Sequence, residues 1–436
     1  MKLHCIQSMH ARRVWDSRGR PTVEAEVTLQ GGAVGRAIVP AGASKGSREA
    51  LELRDPNARF GGLDVMLAVG HVNGEIARAL IGSAADDQAA LDQRLVDLDG
   101  TAAKTRLGAN ATLAVSMAAA HAVAAALGVP LYQYLGGADA TLLPMPQIQI
   151  FGGGAHAGRR VDIQDFMIVC PAAQQFSQAL EWTAEVYRCA GELMHARGSC
   201  QGVADEGGWW PDFATNEQAL ETLVAAIERA GFVPGSQVAI ALDVAASEFG
   251  RDGRYTLGLE SRELDSDGLI ELLLRWIDKY PIASIEDPLA EDDAAGFARF
   301  TLAAGQRLQI VGDDLLVSQA ALVREAAAIG AANTVLLKPN QRGTLTETLQ
   351  AWQAAQSLGY AGIVSARSGE TEDTTIVHLA IGWQVGQLKV GSFARGERMA
   401  KWNEALRIEE RLGSRARFAG ASVFGRRGGH SGAIGP

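Results

Sequence analysis

The chain has 436 residues and a mass of 46.0 kDa, with 47% hydrophobic and 21% charged residues, which is enough for two domains or one large barrel with additions. Its formal net charge of −10 disfavours nucleic acid and anionic membranes as partners, because both would be repelled. The four cysteines form no C-x-x-C pair and the N-terminus lacks an apolar signal core, which predicts a reducing, cytoplasmic location.

The first 140 residues predict an N-terminal α+β domain, because two strand patterns are followed by helical ones. The first strand alternates apolar and polar residues, as a half-buried strand does, and Gly31-Gly32 turns the chain into the second. The last helix lacks formal charge from 111 to 127 and approaches a membrane span in length, but its alanine content favours a buried helix. The expected elements are strands at 23–29 and 33–39 and helices at about 62–82, 87–97 and 109–127.

From residue 141 to about 420, strand and helix patterns alternate, which predicts a (β/α)8 barrel of TIM type. Successive charged strand ends in this region lie 22 to 43 residues apart, the spacing of βα units. Residues 421–436 are rich in Gly and Ser and predict a flexible tail.

Six apolar runs in the barrel region end in a charged residue, first three acids and then three bases. A parallel barrel gathers the carboxyl ends of its strands on one face, so we expect these side chains to meet there. Three carboxylates at one place would repel one another unless a hard cation lay between them. The six residues are Asp243, Glu286, Asp313, Lys338, Arg367 and Lys389.

Eight motifs occur in an order that resembles the enolase family, whose members dehydrate 2-phosphoglycerate to phosphoenolpyruvate. The resemblance covers roughly residues 5–420 and implies an α+β capping domain followed by a modified barrel, usually in a homodimer or an assembly of dimers. The motifs are Asp16-Ser-Arg-Gly19, Pro40-Ala-Gly-Ala-Ser44, Gly153-Gly-Ala-His-Ala157, Asp205-Glu-Gly-Gly208, Ser284-Ile-Glu-Asp-Pro288, Gly312-Asp-Asp-Leu315, Arg367-Ser-Gly-Glu-Thr-Glu-Asp-Thr374 and Arg407-Ile-Glu-Glu410.

The resemblance implies two Mg²⁺ ions in each active site. Asp243, Glu286 and Asp313 would hold the first ion, and Ser44 would bind the second, which arrives with the substrate. Divalent cations at the substrate carboxylate stabilise the dianion that forms when the neighbouring proton is removed. An alternative interpretation of the acids is a solvated loop, which suits surface residues such as Glu291 better than strand ends.

The resemblance also implies roles for the remaining site residues and a small, anionic phosphorylated or phosphonate substrate. Lys338 would be the base and Glu206 the acid; the alternatives are an ion pair of Lys338 with Asp313 and a surface turn at Glu206. A mobile lid is implied at residues 40–48. The other implied residues are Lys389 at the substrate carboxylate, Arg367, Ser368 and His156 at the phosphate, and Gln164 and Asp165 near the acid. Lys45 on the lid, where the family has Thr, is expected to bind the substrate through its added charge.

Several residues depart from the family pattern around the substrate while the metal ligands are kept. Ala366 replaces His, Gly152 replaces Asn and Asp165 replaces Glu, so side-chain volume is removed, and Lys45 adds charge to the lid. These changes predict a pocket retuned for a larger or more anionic substrate; tolerated drift within an ordinary enolase is the alternative. Further departures are Arg20, Ala41, Pro339 and Arg342.

Three functions therefore compete. The first is ordinary enolase activity, and the second is a diverged lyase or transferase of phosphonate metabolism, such as a carboxyphosphonoenolpyruvate synthase. The third is a non-catalytic scaffold, which the retained metal, base and acid residues disfavour.

Overall fold

The computed structural model describes residues 3–56, 58–199 and 201–424, in an N-terminal region followed by an eight-stranded closed barrel. The N-terminal strands form an antiparallel sheet in the order β1-β2-β3, and a π-helical turn joins the first two helices. These elements are β1 (Ile6–Trp15), β2 (Pro21–Leu29), β3 (Val34–Ile38), α1 (Met66–His71), α2 (Ala77–Leu80), α3 (Gln88–Asp99), α4 (Ala109–Leu127) and α5 (Leu131–Gly136).

The predicted N-terminal elements are present, but β2 is not half-buried as its alternation suggested. It is the central strand of its sheet, and α4 packs against β2 and β3, so even Glu24 is buried. The side chain of Glu24 is neutralised there by an ion pair with Arg12. Helix α4 is long and apolar enough to cross a membrane by length and composition, but 78% of that window is buried inside the protein.

The barrel region contains strands of the barrel and of two small outer sheets. Its strands are β4 (Leu142–Leu143), β5 (Met145–Gly152), β6 (Asp165–Val169), β7 (Ala239–Asp243), β8 (Gly250–Arg251), β9 (Arg254–Leu257), β10 (Arg262–Asp265), β11 (Ile282–Glu286), β12 (Gln309–Gly312), β13 (Thr334–Leu337), β14 (Ala361–Ser365), β15 (Gln387–Ser392) and β16 (Arg417–Phe418). Its helices are α6 (Phe176–Ala196), α7 (Asn216–Arg229), α8 (Ser266–Lys279), α9 (Ala294–Ala304), α10 (Ala320–Ala328), α11 (Leu345–Ser357), α12 (Thr375–Gly382) and α13 (Gly396–Leu412).

The barrel closes in the order β11-β12-β13-β14-β15-β5-β6-β7, which confirms the predicted fold class. One strand differs from a regular parallel barrel, because β6 runs antiparallel to both of its neighbours, β5 and β7. The amino end of β6 therefore lies on the face where the other seven strands have their carboxyl ends.

The expected tail begins inside the folded part of the chain. Gly420–Phe424 forms a 3-10 helix, and Val423 and Phe424 pack against an apolar cluster that includes Met145 and Met167. Burial of these two apolar side chains outweighs the Gly- and Ser-rich composition that predicted a flexible tail from residue 421. The rest of that expected tail, 425–436, lies outside the described residues.

Candidate functional site

The antiparallel strand β6 brings an acidic residue to the functional face of the barrel. Asp165 is the first residue of β6, and it pairs with Gly152 at the end of β5 and with Asp243 at the end of β7. In a parallel strand the same residue would lie at the opposite end of the barrel.

A small cavity of about 20 Å³, open to solvent, lies at this face. It contains most of the residues that the sequence singled out, although they come from distant parts of the chain. The residues that line it are Ser44, His156, Gln164, Asp165, Glu206, Asp243, Lys338, Ser365, Ala366, Arg367, Ser368, Lys389, Val390 and Gly391.

Two buried lysines pair with the three strand-end carboxylates. The ammonium of Lys389 lies 2.8 Å from Asp243 Oδ2 and 2.8 Å from Glu286 Oε2, and that of Lys338 is bonded to Asp313. The structure thus places a lysine between two of the acids that the sequence grouped around one ion. Lys389 reaches both acids because it lies within strand β15. The sequence pattern had placed it just after the end of that strand.

The pairing controls the charge of these groups. Burial and the neighbouring Asp243 raise the pKa of Glu286 well above its ordinary value. Burial opposes the charge of Lys338 and Lys389, but attraction by their carboxylate partners is stronger and raises the pKa of each lysine. Burial also opposes the charge of Asp313, and the Lys338 ammonium outweighs it, so the pKa of Asp313 is lowered.

The carboxylates at this site fit a hard cation. Glu286 Oε1 is buried without a hydrogen-bond partner, so this oxygen can act as a ligand to an ion. The three strand ends supply carboxylate oxygens alone, which are the ligands that Mg²⁺ and Ca²⁺ prefer. In the described part of the chain, groups with all ligand atoms within 4.8 Å of one another are His156–Asp165–Glu206 and Asp287–Asp313–Asp314. The expected trio of Asp243, Glu286 and Asp313 is not such a group, because Lys389 lies between Asp243 and Glu286.

Two residues that sequence reasoning missed hold Asp313 in place. The carboxylate of Asp287 accepts the backbone N–H groups of Asp313 and Asp314 at 2.9 and 2.7 Å, which fixes the turn after β12. Gln341 donates its side-chain N–H to Asp313 Oδ1 at 2.8 Å. Asp287 directly follows Glu286, and this position beside an expected ligand was the available sequence signal.

A second buried group lies around Asp165. Its Oδ1 accepts a hydrogen bond from Gln149 and lies 3.0 Å from His156 Nδ1, while Oδ2 lies 3.3 Å from Lys389. The other ring nitrogen of His156 lies 3.7 Å from Glu206. Burial would lower the pKa of His156, but Glu206 and Asp165 raise it, so the charged imidazolium is favoured.

The guanidinium of Arg367 is almost fully used by the protein. Nη1 and Nη2 each donate to one oxygen of Glu49 at 3.1 Å, Nη1 also donates to Asn340 at 3.0 Å, and Nη2 to the carbonyl of Ser44 at 2.9 Å. The expected fork for a substrate phosphate is therefore occupied by Glu49 in this structure. The hydroxyl of Ser368 accepts the N–H of Ala43 at 2.7 Å.

Lys45 is separate from the cavity, although the sequence analysis placed it among the substrate-binding residues. Its ammonium pairs with Glu52 at 2.7 Å, and it does not line the cavity, whereas the neighbouring Ser44 does. The attraction of the Glu52 carboxylate explains why the Lys45 side chain is directed towards Glu52 and not into the cavity. The added charge of the lid is thus neutralised locally.

The departures from the family pattern have unequal effects on the cavity. Ala366 lines it, so the side chain at this position borders the cavity directly. Gly152 opens no space, because a Cβ there would lie 2.6 Å from Ala204 Cβ and 3.2 Å from Gln149 Oε1. Ala204 and Gln149 occupy the space beside Gly152, so the expected enlargement is absent at this position.

A buried arginine that the sequence analysis did not single out supports the phosphate side of the site. Arg398 donates to the carbonyl oxygens of Arg367 at 2.7 Å, Val390 at 2.8 Å and Ser368 at 2.5 Å. Its charged group has no solvent exposure and lies 4.0 Å from Glu206. Backbone carbonyls leave no sequence signal, which is why this role could not be predicted.

Comparison with known protein families accounts for both regions. Residues 6–135 match the family model described as "Enolase, N-terminal domain". Residues 140–426 match the one described as "Enolase, C-terminal TIM barrel domain". Since these two matches cover nearly the whole chain and agree with the folded barrel and its acidic face, the chain belongs to the enolase family.

Proposed function

We propose that this protein is a Mg²⁺-dependent lyase that dehydrates 2-phosphoglycerate to phosphoenolpyruvate. The observation that carries the proposal is the placement of Lys338 and of the His156–Asp165–Glu206 group around one cavity. Lys338 follows β13, and Asp165 begins β6, four strands away in the closed order of eight. Lys338 and the His156–Asp165–Glu206 group therefore lie on opposite sides of the barrel mouth, which supports a reaction that removes a proton and hydroxide from adjacent carbons.

Each step can be assigned to a side chain of the cavity. Lys338 takes the proton from the carbon next to the substrate carboxylate, and Glu206 gives a proton to the departing hydroxide. Lys389 binds the substrate carboxylate, and Arg367 with Ser368 binds the phosphate. A divalent cation held by Asp243, Glu286 and Asp313 would supply positive charge that stabilises the dianion formed on proton removal.

The lysine base must be neutral before it can accept a proton. In the cation-free protein, attraction by Asp313 raises the pKa of Lys338 against the effect of burial. A cation held by Asp313 would share the carboxylate charge and weaken that attraction, and the nearby Arg367 already lowers the pKa of Lys338. Asp313, which keeps Lys338 protonated in the cation-free protein, would then favour the protonated lysine less.

A second candidate is a diverged enzyme acting on a larger or more anionic phosphonate, such as a carboxyphosphonoenolpyruvate synthase. The observation that favours it is Ala366, which lines the cavity where the family pattern has His. A non-catalytic scaffold is disfavoured, because burying the charged side chains of Lys338, Lys389 and Arg367 is destabilising and a scaffold gains no function from it.

The deciding experiment is incubation with 2-phosphoglycerate and Mg²⁺, with phosphoenolpyruvate followed by its ultraviolet absorbance. Turnover that depends on Mg²⁺ and is lost in Lys338→Ala supports the proposal. Absence of turnover, together with turnover of a phosphonate analogue, supports the second candidate.

A further inference from the structure

We propose that Gln149 is the positioning residue of the acid side of the site, fixing Asp165 directly and the Glu206 turn through Gly208. The effect of Gln149 on catalysis rests on the proposed function. Its effect on the position of the 204–208 turn can be tested without any substrate. Gln149 itself does not line the cavity, so it acts through the groups that do.

Gln149 is fully buried in β5 and uses both ends of its amide. Its Nε2 donates to Asp165 Oδ1, and its Oε1 accepts the backbone N–H of Gly208 at 2.9 Å. One side chain therefore connects strand β6 to the turn that carries Glu206. A buried amide with both ends bonded has one favoured orientation, because rotating it would leave a donor and an acceptor unpaired.

The turn itself transmits this position to Glu206. Ala204 donates to the carbonyl of Gly208 at 2.8 Å, and Gly207 donates to the carbonyl of Ala204 at 2.9 Å, so residues 204–208 form a compact unit. Ser392 on β15 donates its N–H to the Glu206 carbonyl at 2.9 Å. The Glu206 carboxylate is thus placed by a rigid turn, one side of which rests on Gln149.

The space around Gln149 is shaped for its length. A Cβ on Gly208 would lie 2.4 Å from Gln149 Oε1, and one on Gly152 would lie 3.2 Å from the same atom. A longer carboxylate in place of Asp165 would also meet this amide. The small residue at 152, the short acid at 165 and the long amide at 149 therefore form one coupled set.

The first arm of the test measures amide hydrogen exchange of peptides spanning 204–210 by mass spectrometry, on the protein without substrate. Gln149→Leu removes the acceptor of the Gly208 N–H, and exchange in these peptides should become faster by roughly tenfold or more at one amide. Gln147→Leu is the matched control. Gln147 lies two residues earlier in the same strand, is equally buried and bonds to Gln387 instead, so exchange at 204–210 should stay parental.

The second arm compares two rates on 2-phosphoglycerate with Mg²⁺: exchange of the α-proton with solvent, which reports Lys338, and formation of phosphoenolpyruvate, which also needs Glu206. Gln149→Leu should lower product formation at least tenfold more than proton exchange, a split that general loss of structure would not produce. The double variant Gln149→Asn with Asp165→Glu lengthens the acid to meet the shortened amide, and should restore part of the ratio that Gln149→Asn alone loses.

Two outcomes overturn the proposal: unchanged protection of 204–210 in Gln149→Leu, or an equal fall of the two rates. If Gln149→Leu does not fold, Gln149→Asn alone is used in both arms, since the shorter amide cannot reach Asp165 and Gly208 together. A parent protein inactive on 2-phosphoglycerate contradicts the proposed function, while the hydrogen-exchange arm still decides the role of Gln149.

Discussion

Glu49 and Arg367 form a two-pronged ion pair, with both terminal nitrogens of the guanidinium 3.1 Å from the two carboxylate oxygens. Both side chains are buried, and attraction by Glu49 outweighs burial and raises the pKa of Arg367. Glu49 directly follows the lid, residues 40–48, so a segment of the N-terminal region occupies the group expected to bind the substrate phosphate.

Glu49→Gln should strengthen anion binding at Arg367, because a neutral amide competes less well for the guanidinium than a carboxylate does. We expect inorganic phosphate to bind roughly fivefold more tightly, equivalent to about 1 kcal/mol, as measured by titration calorimetry. Glu185→Gln is the control, since Glu185 pairs with Arg188 on the exposed side of α6. Weaker phosphate binding in Glu49→Gln would show that Glu49 orients Arg367 and does not compete for it.

Asp313→Asn should weaken divalent cation binding by about tenfold or more, because one anionic ligand becomes neutral and affinity follows ligand charge. Activity of the parent protein should disappear with chelator and return with added Mg²⁺. Glu228→Gln, an exposed acid on α7, is the matched control and should bind Mg²⁺ as the parent does. Full activity in excess chelator contradicts the metal-dependent mechanism.

Lys338→Ala and Glu206→Gln should separate the two proton transfers. Lys338→Ala should stop exchange of the substrate α-proton with solvent, and each variant should lose roughly 10²- to 10⁴-fold in product formation. Glu206→Gln should keep part of the proton exchange, since the base and the acidic ligands remain. Parental exchange in Lys338→Ala, followed by NMR in deuterated water, would show that another residue is the base.

Ala366→His should shift preference towards 2-phosphoglycerate, because the new side chain fills part of the cavity that Ala366 leaves open. The measurement is kcat/KM for 2-phosphoglycerate and for a panel of phosphonate analogues, in the parent and the variant. The parent should be slower on 2-phosphoglycerate than ordinary enolases by roughly 10²-fold, the cost of a missing contact in the transition state. If the parent protein has the kcat/KM of an ordinary enolase on 2-phosphoglycerate, the change to Ala366 is a tolerated substitution without effect on substrate preference.

His378 should make stability depend on pH. Burial, helped by the neighbouring His121, lowers the pKa of His378 to about 3. An unfolded histidine titrates near 6.5, so below that pH the unfolded chain binds a proton that the folded one does not, and stability falls by about 1.4 kcal/mol per pH unit. Urea unfolding at pH 7 and pH 5 should show a smaller loss for His378→Phe than for the parent. Equal losses would indicate that Glu404, 3.6 Å away, keeps the proton on the folded protein.

The sequence by itself determined the order of elements and the chemistry of the strand ends. Alternating apolar runs with charged ends predicted a barrel, because strand length and burial are encoded locally in the residues of each strand. The motif series identified the family, and ten of the thirteen expected site residues line the cavity. Glu286 and Asp313 lie behind it, paired with Lys389 and Lys338, and Lys45 pairs with Glu52 instead.

Tertiary structure alone decided which charges meet. The reversed direction of β6, which no local pattern shows, brings Asp165 to the face shared with Asp243. Lys389 bridges Asp243 and Glu286 because β15 lies across the barrel from β11 in the closed order, a contact between residues 103 positions apart. Partners of this kind depend on three-dimensional distance and on the cost of burying an unpaired charge, neither of which is written in neighbouring residues.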